Sequence, residues 1–412
     1  MLKGFKTSGW SLLAIGLVAL LVLSITTAAQ AADKELVLGV SDALTGEGAT
    51  YGMPQYNAIK MAVDEINSAG GVKAGKDNYK LKVIAYDDRA NPTEATNSVR
   101  KLIDRDGVKY LLGFCCSPST SAVASFIGRE DAVMLVGNAA ERTITTRGLS
   151  NLFRTRPPAD YSGKAAGAFV AKKGVKRVAV IGALNIDFYA LYLDAFEREF
   201  VKGGGAIIAK ETFSLRDRDM TPQLTKVRAL NPDALLVIGY IEPAAFVYRQ
   251  SAELGMHVQR FGFTSGNEEQ FLAVATSEQM EGVWDLRPTE LTLEALKDTA
   301  KAYYNSYTRK FGKTPPPMSP YAYDQVYVLK HALERAGTVD DTKKVAAEIA
   351  KLPVPPEAIM KYLPVDGKMF DVNGQAYTSN SAFQWQRGKW HYVADLPSDP
   401  AAYSIYLRSL RK

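Results

Sequence analysis

The sequence predicts an α/β fold of two doubly wound lobes, each a parallel sheet with helices on both faces. Three observations carry this. Short apolar, β-branched runs alternate with amphipathic stretches of helical length, which implies parallel strands joined by right-handed crossovers. The alternation halts at "FRTRPPADYSG", where Pro157-Pro158 break any helix, and then begins again. A chain of 412 residues also exceeds one ordinary core and suits two.

The elements follow in order. "ELVLGVSDAL" is a strand, and "GMPQYNAIKMAVDEINSAGG" a helix with Ile59, Ala62, Val63 and Ile66 on one stripe and Gly70-Gly71 as its stop. "YKLKVIAYDD" alternates as a strand does, and Asn91-Pro92 opens the helix of "NPTEATNSVRKLIDRDG". "VKYLLGF" and "AVMLVGN" are strands around the helix "SPSTSAVASFIGRED". The second series has strands "KRVAVIGAL", "AIIAKETF", "PDALLVIGY" and "QRFGFTS". Between them lie helices "DFYALYLDAFEREFVKGGG", "DMTPQLTKVRALN" and "PAAFVYRQSAELGM". After Gly282 come the strand "VWDLRP", three helices ("TLEALKDTAKAYYNSYTRKFG", "YAYDQVYVLKHALERAG", "VDDTKKVAAEIAKL"), and then a strand, a turn and a β-hairpin from Met369 to Val393.

The N-terminus bears on the compartment. Lys3 and Lys6 precede the uncharged run Trp10 to Ile25, and Ala29-Gln30-Ala31 supplies a small-x-small cleavage pattern. Residues 1–31 therefore read as a secretory signal peptide, cut near Ala31, rather than as a membrane anchor. Loss of Lys3 and Lys6 takes the formal charge from +6 to +4. That mild excess forms no basic run, which argues against a nucleic-acid partner.

In open parallel sheets, ligands sit beyond the carboxyl ends of the strands. Here those ends carry "SDALTGEGATYG", "CCSPST", "GNAAERT", "LNIDFY", "GYIEP" and "TSGNEE", rich in hydroxyls, amides and aromatics. His257, His331 and His391 share no ligand spacing, so no zinc site is expected and no cofactor is implied. No nucleophile elbow and no phosphate loop occurs, and a binding protein is expected rather than an enzyme. "SPST" is the most informative end. Ser117, Ser119 and Thr120 open a helix, where free N–H groups and the macrodipole favour an anion such as a carboxylate. The same residues also cap helices that bind nothing.

Several segments in order ("GVSDALTGEGATYG", "AVDEINSAGGV", "VIAYDDRANPTEA", "GFCCSPST", "LFRT", "PDALLVIGY", "YRQSAELG", "MEGVWDL") resemble the type I periplasmic binding proteins. The nearest branch is the leucine/isoleucine/valine-binding group that serves ABC importers. The resemblance implies a monomeric periplasmic receptor closing two lobes on a small molecule and handing it to an inner-membrane permease. Its lobes would be residues 32–155 with 288–373 and 156–287 with 374–412. The three crossovers would fall near Arg154–Pro158, Leu286–Pro288 and Asp371–Ala376. Carried over by position, the binding residues are Tyr51, Cys115, Ser117, Asn138, Ala140, Phe188, Tyr189, Tyr240 and Ser265. Ser117 would take the ligand carboxylate, Asn138 and Ala140 would offer the next strand end, and the aromatics would cover the ligand.

Two departures shape the ligand. Ser265 stands where amino-acid binders place the glutamate that pairs with an α-ammonium, and Ala140 stands for their threonine. A buried ammonium without a carboxylate is costly. The expected ligand is thus a carboxylic acid without an α-ammonium, aromatic or otherwise apolar. Glu268 or Glu269 supplying the missing acid would restore an amino-acid ligand, and a periplasmic sensor of the same fold is the other alternative. Cys115 and Cys116 are the only cysteines. Relatives bridge the second to a preceding turn, but its partner position here is Ala90, so Cys116 is expected as a small buried hydrophobe and Cys115 as part of the ligand wall.

Overall fold

The computed structural model describes residue 1 and residues 34–46, 48–214, 216–264, 266–288 and 296–410. Residues 2–31 of the expected signal peptide, and Ser265, lie outside these residues. The first sheet contains β1 (Lys34–Asp42), β2 (Val72–Ala74), β3 (Asp77–Asp87), β4 (Tyr110–Gly113), β5 (Val133–Val136) and β6 (Leu152–Arg154), in the order β2-β3-β1-β4-β5-β6. All its pairings are parallel except β2 with β3. The second contains β7 (Arg177–Gly182), β8 (Ala206–Thr212), β9 (Ala234–Ile238), β10 (Gln259–Phe263), β11 (Trp284–Arg287), β12 (Asn380–Gln386) and β13 (Lys389–Leu396), in the order β13-β12-β11-β10-β9-β7-β8. Its last two strands form an antiparallel hairpin on β11.

Each sheet buries apolar runs because both of its faces are covered. The helices Ala49–Ser68 and Pro320–Ala336 pack on one face of the first sheet, and a separate apolar cluster containing Val99, Phe114 and Ile144 fills the other. In the second, the helices Ala159–Lys172 and Asp187–Lys202 lie together without intervening side chains. Gly163 and Gly167 permit this: a Cβ on either would come within 2.2 Å of Tyr192 O or 2.3 Å of Phe196 O. Gly167→Ala improves helix propensity, yet the backbone overlap forces the helices apart and wins. The expected loss is about 1–3 kcal/mol, read as a lower urea midpoint at unchanged slope.

The chain passes between the sheets three times, after β6, after β11 and before β12. The passages are pinned to one another. Arg154 lies in an isolated bridge with Gln375. Gln375 Nε2 donates to Arg156 O at 2.7 Å. Tyr321 OH donates to Pro288 O and lies 2.8 Å from Thr378 Oγ1, while Thr155 Oγ1 donates to Tyr321 O at 3.1 Å. Asp324, on the same helix as Tyr321, accepts from Ile359 N and Met360 N.

Some elements differ from expectation. The segment expected as a strand from Met369 makes only isolated bridges, Phe370 to Ala376 among them, because it is spent on the crossover. The "SPST" helix is short, Ser117–Ala124, and the helix of residues 92–105 finishes in a π turn. β2, β6 and the helix Ala159–Lys172 carry too weak a pattern to be foreseen.

Candidate ligand-binding site

The site begins with a bend at the end of β4. Phe114 has φ +66°, a left-handed value rare for a bulky residue. Three contacts hold it there: its side chain is fully buried, its N–H donates to Ser41 O at 3.1 Å, and its carbonyl accepts from Ala139 N at 3.1 Å. The bend turns Cys115, Cys116 and Ser117 away from the sheet and into the space between the lobes. This lies at the switch point of the first sheet, where β1 is flanked by β3 and β4. The switch point of the second sheet, at β7 and β9, brings Tyr240 and the start of the Asp187–Lys202 helix to face it.

One cavity results, with an empty volume of ≈ 440 Å³ when the open space at its mouth is counted. Eight of the nine positions named from the sequence line it: Tyr51, Cys115, Ser117, Asn138, Ala140, Phe188, Tyr189 and Tyr240. Phe188 and Tyr189, alternatives in the sequence, both contribute, their ring centroids 4.0 Å apart. Tyr51 approaches across the cleft to 5.1 Å from the Tyr240 ring, and Tyr189 stands 6.0 Å from Tyr240. These tilted and edge-on rings give the cavity an aromatic wall.

The polar groups are placed differently from expectation. Ser117 Oγ accepts from Ala140 N and Glu141 N, both at 3.1 Å, so its lone pairs join two loops while its proton remains to donate. Ser119 and Thr120 donate their hydroxyls to Cys116 O and are fully buried. They serve the helix start. Asn138 O and Oδ1 accept from Arg156 Nη1 at 2.6 and 3.0 Å.

Arg156 was not foreseen. It sits on the first crossover, lines the cavity, is 7% exposed, and its Nε has no hydrogen-bond partner although buried. No carboxylate among the described residues lies within ion-pair distance of it. Burial lowers its pKa, opposed by nearby Tyr321, Tyr189 and Tyr51, yet a guanidinium keeps its charge in such a setting. The other newly found wall residues are Cys116, Phe263, Thr264 and Met318.

No acid lines the cavity among the described residues. Glu268 Oε1 accepts from Trp390 N at 3.1 Å, and exposed Glu269 lies 3.9 Å from Lys313. Both therefore face elsewhere, and neither replaces the missing glutamate. Asp285 accepts from Thr264 N and Oγ1 and pairs with Arg287 at 3.3 Å. Among the described residues no group of three or more His, Cys, Asp or Glu is placed to hold a metal.

A two-lobed α/β chain with an aromatic-lined cavity at facing switch points invites comparison with binding proteins, and a family model described as periplasmic binding protein matches residues 35–389. The chain belongs to that family. Among similar sequences is a Leu/Ile/Val-binding protein, BraC3, of Rhizobium johnstonii, 26% identical over 374 residues, which are 90% of this chain and 97% of the relative. The branched-chain amino acid binding protein LivJ of Streptococcus pneumoniae, solved with isoleucine, superposes with TM-score 0.76 at 24% identity, covering 89% of this chain and all of that one. A solute-binding protein of an ABC transporter from R. palustris, solved with benzoate, superposes with TM-score 0.74 at 20% identity, covering 89% and 98%. The chain is thus a periplasmic binding protein, a binder of small molecules and not an enzyme. Members of this family are periplasmic and work with ABC permeases.

Proposed function

We propose that this periplasmic binding protein is the exported receptor, a monomer, that delivers a small aromatic or otherwise apolar carboxylic acid to an ABC permease. The observation that carries the reading is Arg156, a buried cation in the cavity wall with an unpartnered Nε and no acid facing it among the described residues. A ligand carboxylate there replaces lost hydration with a charge-assisted bond. The described residues of the same wall give an α-ammonium no carboxylate to pair with, and burying one costs several kcal/mol. The fold does not choose between ligand classes, since neighbours of this architecture hold isoleucine in one case and benzoate in another. The cavity residues make the choice.

The binding residues in this reading are Arg156 and Ser117 for the carboxylate and Tyr51, Phe188, Tyr189 and Tyr240 around the ring. Cys115, Asn138 and Ala140 complete the wall. The ligand docks on one lobe and the second, by rotation at the three crossovers, adds contacts that favour the closed state. The lobes are residues 32–155 with 288–373 and 156–287 with 374–412. Mass spectrometry of small molecules released from the freshly purified protein tests this. A carboxylic acid without an amine is expected, and a recovered amino acid would refute it.

A further inference from the structure

Cys115 and Cys116 do more than pack. Both line the ligand cavity, at 6% and 4% exposure, with their sulfurs 2.6 Å apart. They are unbridged in this structure and are the only cysteines of the chain, so the one intramolecular disulfide available joins adjacent residues. The pair sits on a sensitive stretch of backbone. Cys115 N donates to Asp42 Oδ1 at 2.9 Å, Cys116 O accepts three hydrogen bonds from Ser119 and Thr120, and Ser117 follows at once.

We infer that Cys115 and Cys116 are a redox-convertible wall of the ligand cavity, which closes to a disulfide by exchange with a disulfide-bearing oxidant and then holds the acid less tightly. The chemistry balances. One thiolate attacks the oxidant's S–S bond and expels a thiol, and the second then displaces the remaining half. Two cysteines lose two hydrogens, and the oxidant leaves as two thiols. An exported chain meets such oxidants.

Opening of the lobes governs the step. Burial, with Cys116 and the neighbouring Asp42 adding to it, pushes the Cys115 thiol well above its ordinary range, so the closed cavity keeps it protonated and unreactive. Bound ligand, by holding the lobes closed, therefore slows oxidation of the pair. The structural route is short. A ring through the 115–116 peptide takes the thiol proton from beside Asp42 and repositions Ser117, whose oxygen holds Ala140 N and Glu141 N on the carboxylate side.

The gating half of this inference rests on the organic-acid reading, and benzoate serves as the probe. The mature protein is treated with oxidised glutathione, with and without benzoate, and its intact mass is measured before and after reductant. Loss of two hydrogens, slowed by benzoate, is expected, with a tenfold or greater rise in the benzoate Kd on oxidation. The Cys115→Ser, Cys116→Ser double variant should show the same Kd under oxidant and reductant. No mass loss, a disulfide between molecules, or an unchanged Kd after full oxidation would each overturn the inference. If benzoate binds neither form, the acid reading is what fails, and the mass difference alone then decides the pair.

Discussion

Arg156→Gln is expected to weaken binding of an aromatic carboxylate about thirty- to thousandfold, while the unliganded protein becomes no less stable and melts at an equal or higher temperature. The affinity loss follows from removing one partner of a desolvated, charge-assisted pair, typically about 2–4 kcal/mol. The stability half follows from the guanidinium itself. It is buried, its bonds to Asn138 are to neutral oxygens, and its Nε has no partner. Removing such a charge relieves a desolvation cost that only the ligand offsets. Opposite signs for the two measurements separate a ligand-pairing role from a structural one. Equal losses in both would mean that Arg156 holds the crossover and not the ligand.

The neighbouring arginine should behave in the reverse sense. Arg154→Ala is expected to destabilise the fold by about 3 kcal/mol or more, lowering the urea midpoint with little change in slope. Arg154 is fully buried, yet all three of its nitrogens donate: Nε to Gln375 Oε1 at 2.7 Å, Nη1 to Ala139 O at 3.1 Å and Glu141 O at 2.5 Å, and Nη2 to Thr145 Oγ1 at 3.1 Å. Burial pushes its guanidinium down to about 10, so some solvation cost is returned when the charge goes. Against that stand four lost hydrogen bonds and a cavity the size of the side chain, and these dominate. Because Gln375 also donates to Arg156 O, the loss reaches the first and third crossovers together. A lysine at 154 has no planar fork with which to span the same acceptors.

Two arginines two residues apart thus differ in role, and the sequence "FRTRPP" does not say which is which. The difference is made by tertiary partners, Gln375 and Thr145 for one and Asn138 for the other. What was legible were the strand ends. A parallel sheet lines its carboxyl ends along one edge, so Ser117, Asn138 and Tyr240 had to converge once the strands were recognised. Arg156 escaped because β6, whose carboxyl end it follows by two residues, was too short to be recognised as a strand. The helix Ala159–Lys172 escaped because its contact face is Gly163 and Gly167, small residues that give no apolar periodicity. Nothing local announces the left-handed turn at Phe114, where glycine or asparagine would normally stand. The roles of the "SPST" hydroxyls were likewise decided by tertiary partners, Ala140 and Glu141 for Ser117, and by the helix's own first carbonyl for the other two.

The central claim is that this cavity holds an acid and has no place for an α-ammonium. Isothermal titration of the reduced mature protein with benzoate and with leucine, under identical conditions, tests it most directly. Saturable binding of benzoate at one site is expected, with leucine weaker by about a hundredfold or more, the scale of an unpaired buried ammonium. Tight binding of leucine with none of benzoate would contradict it.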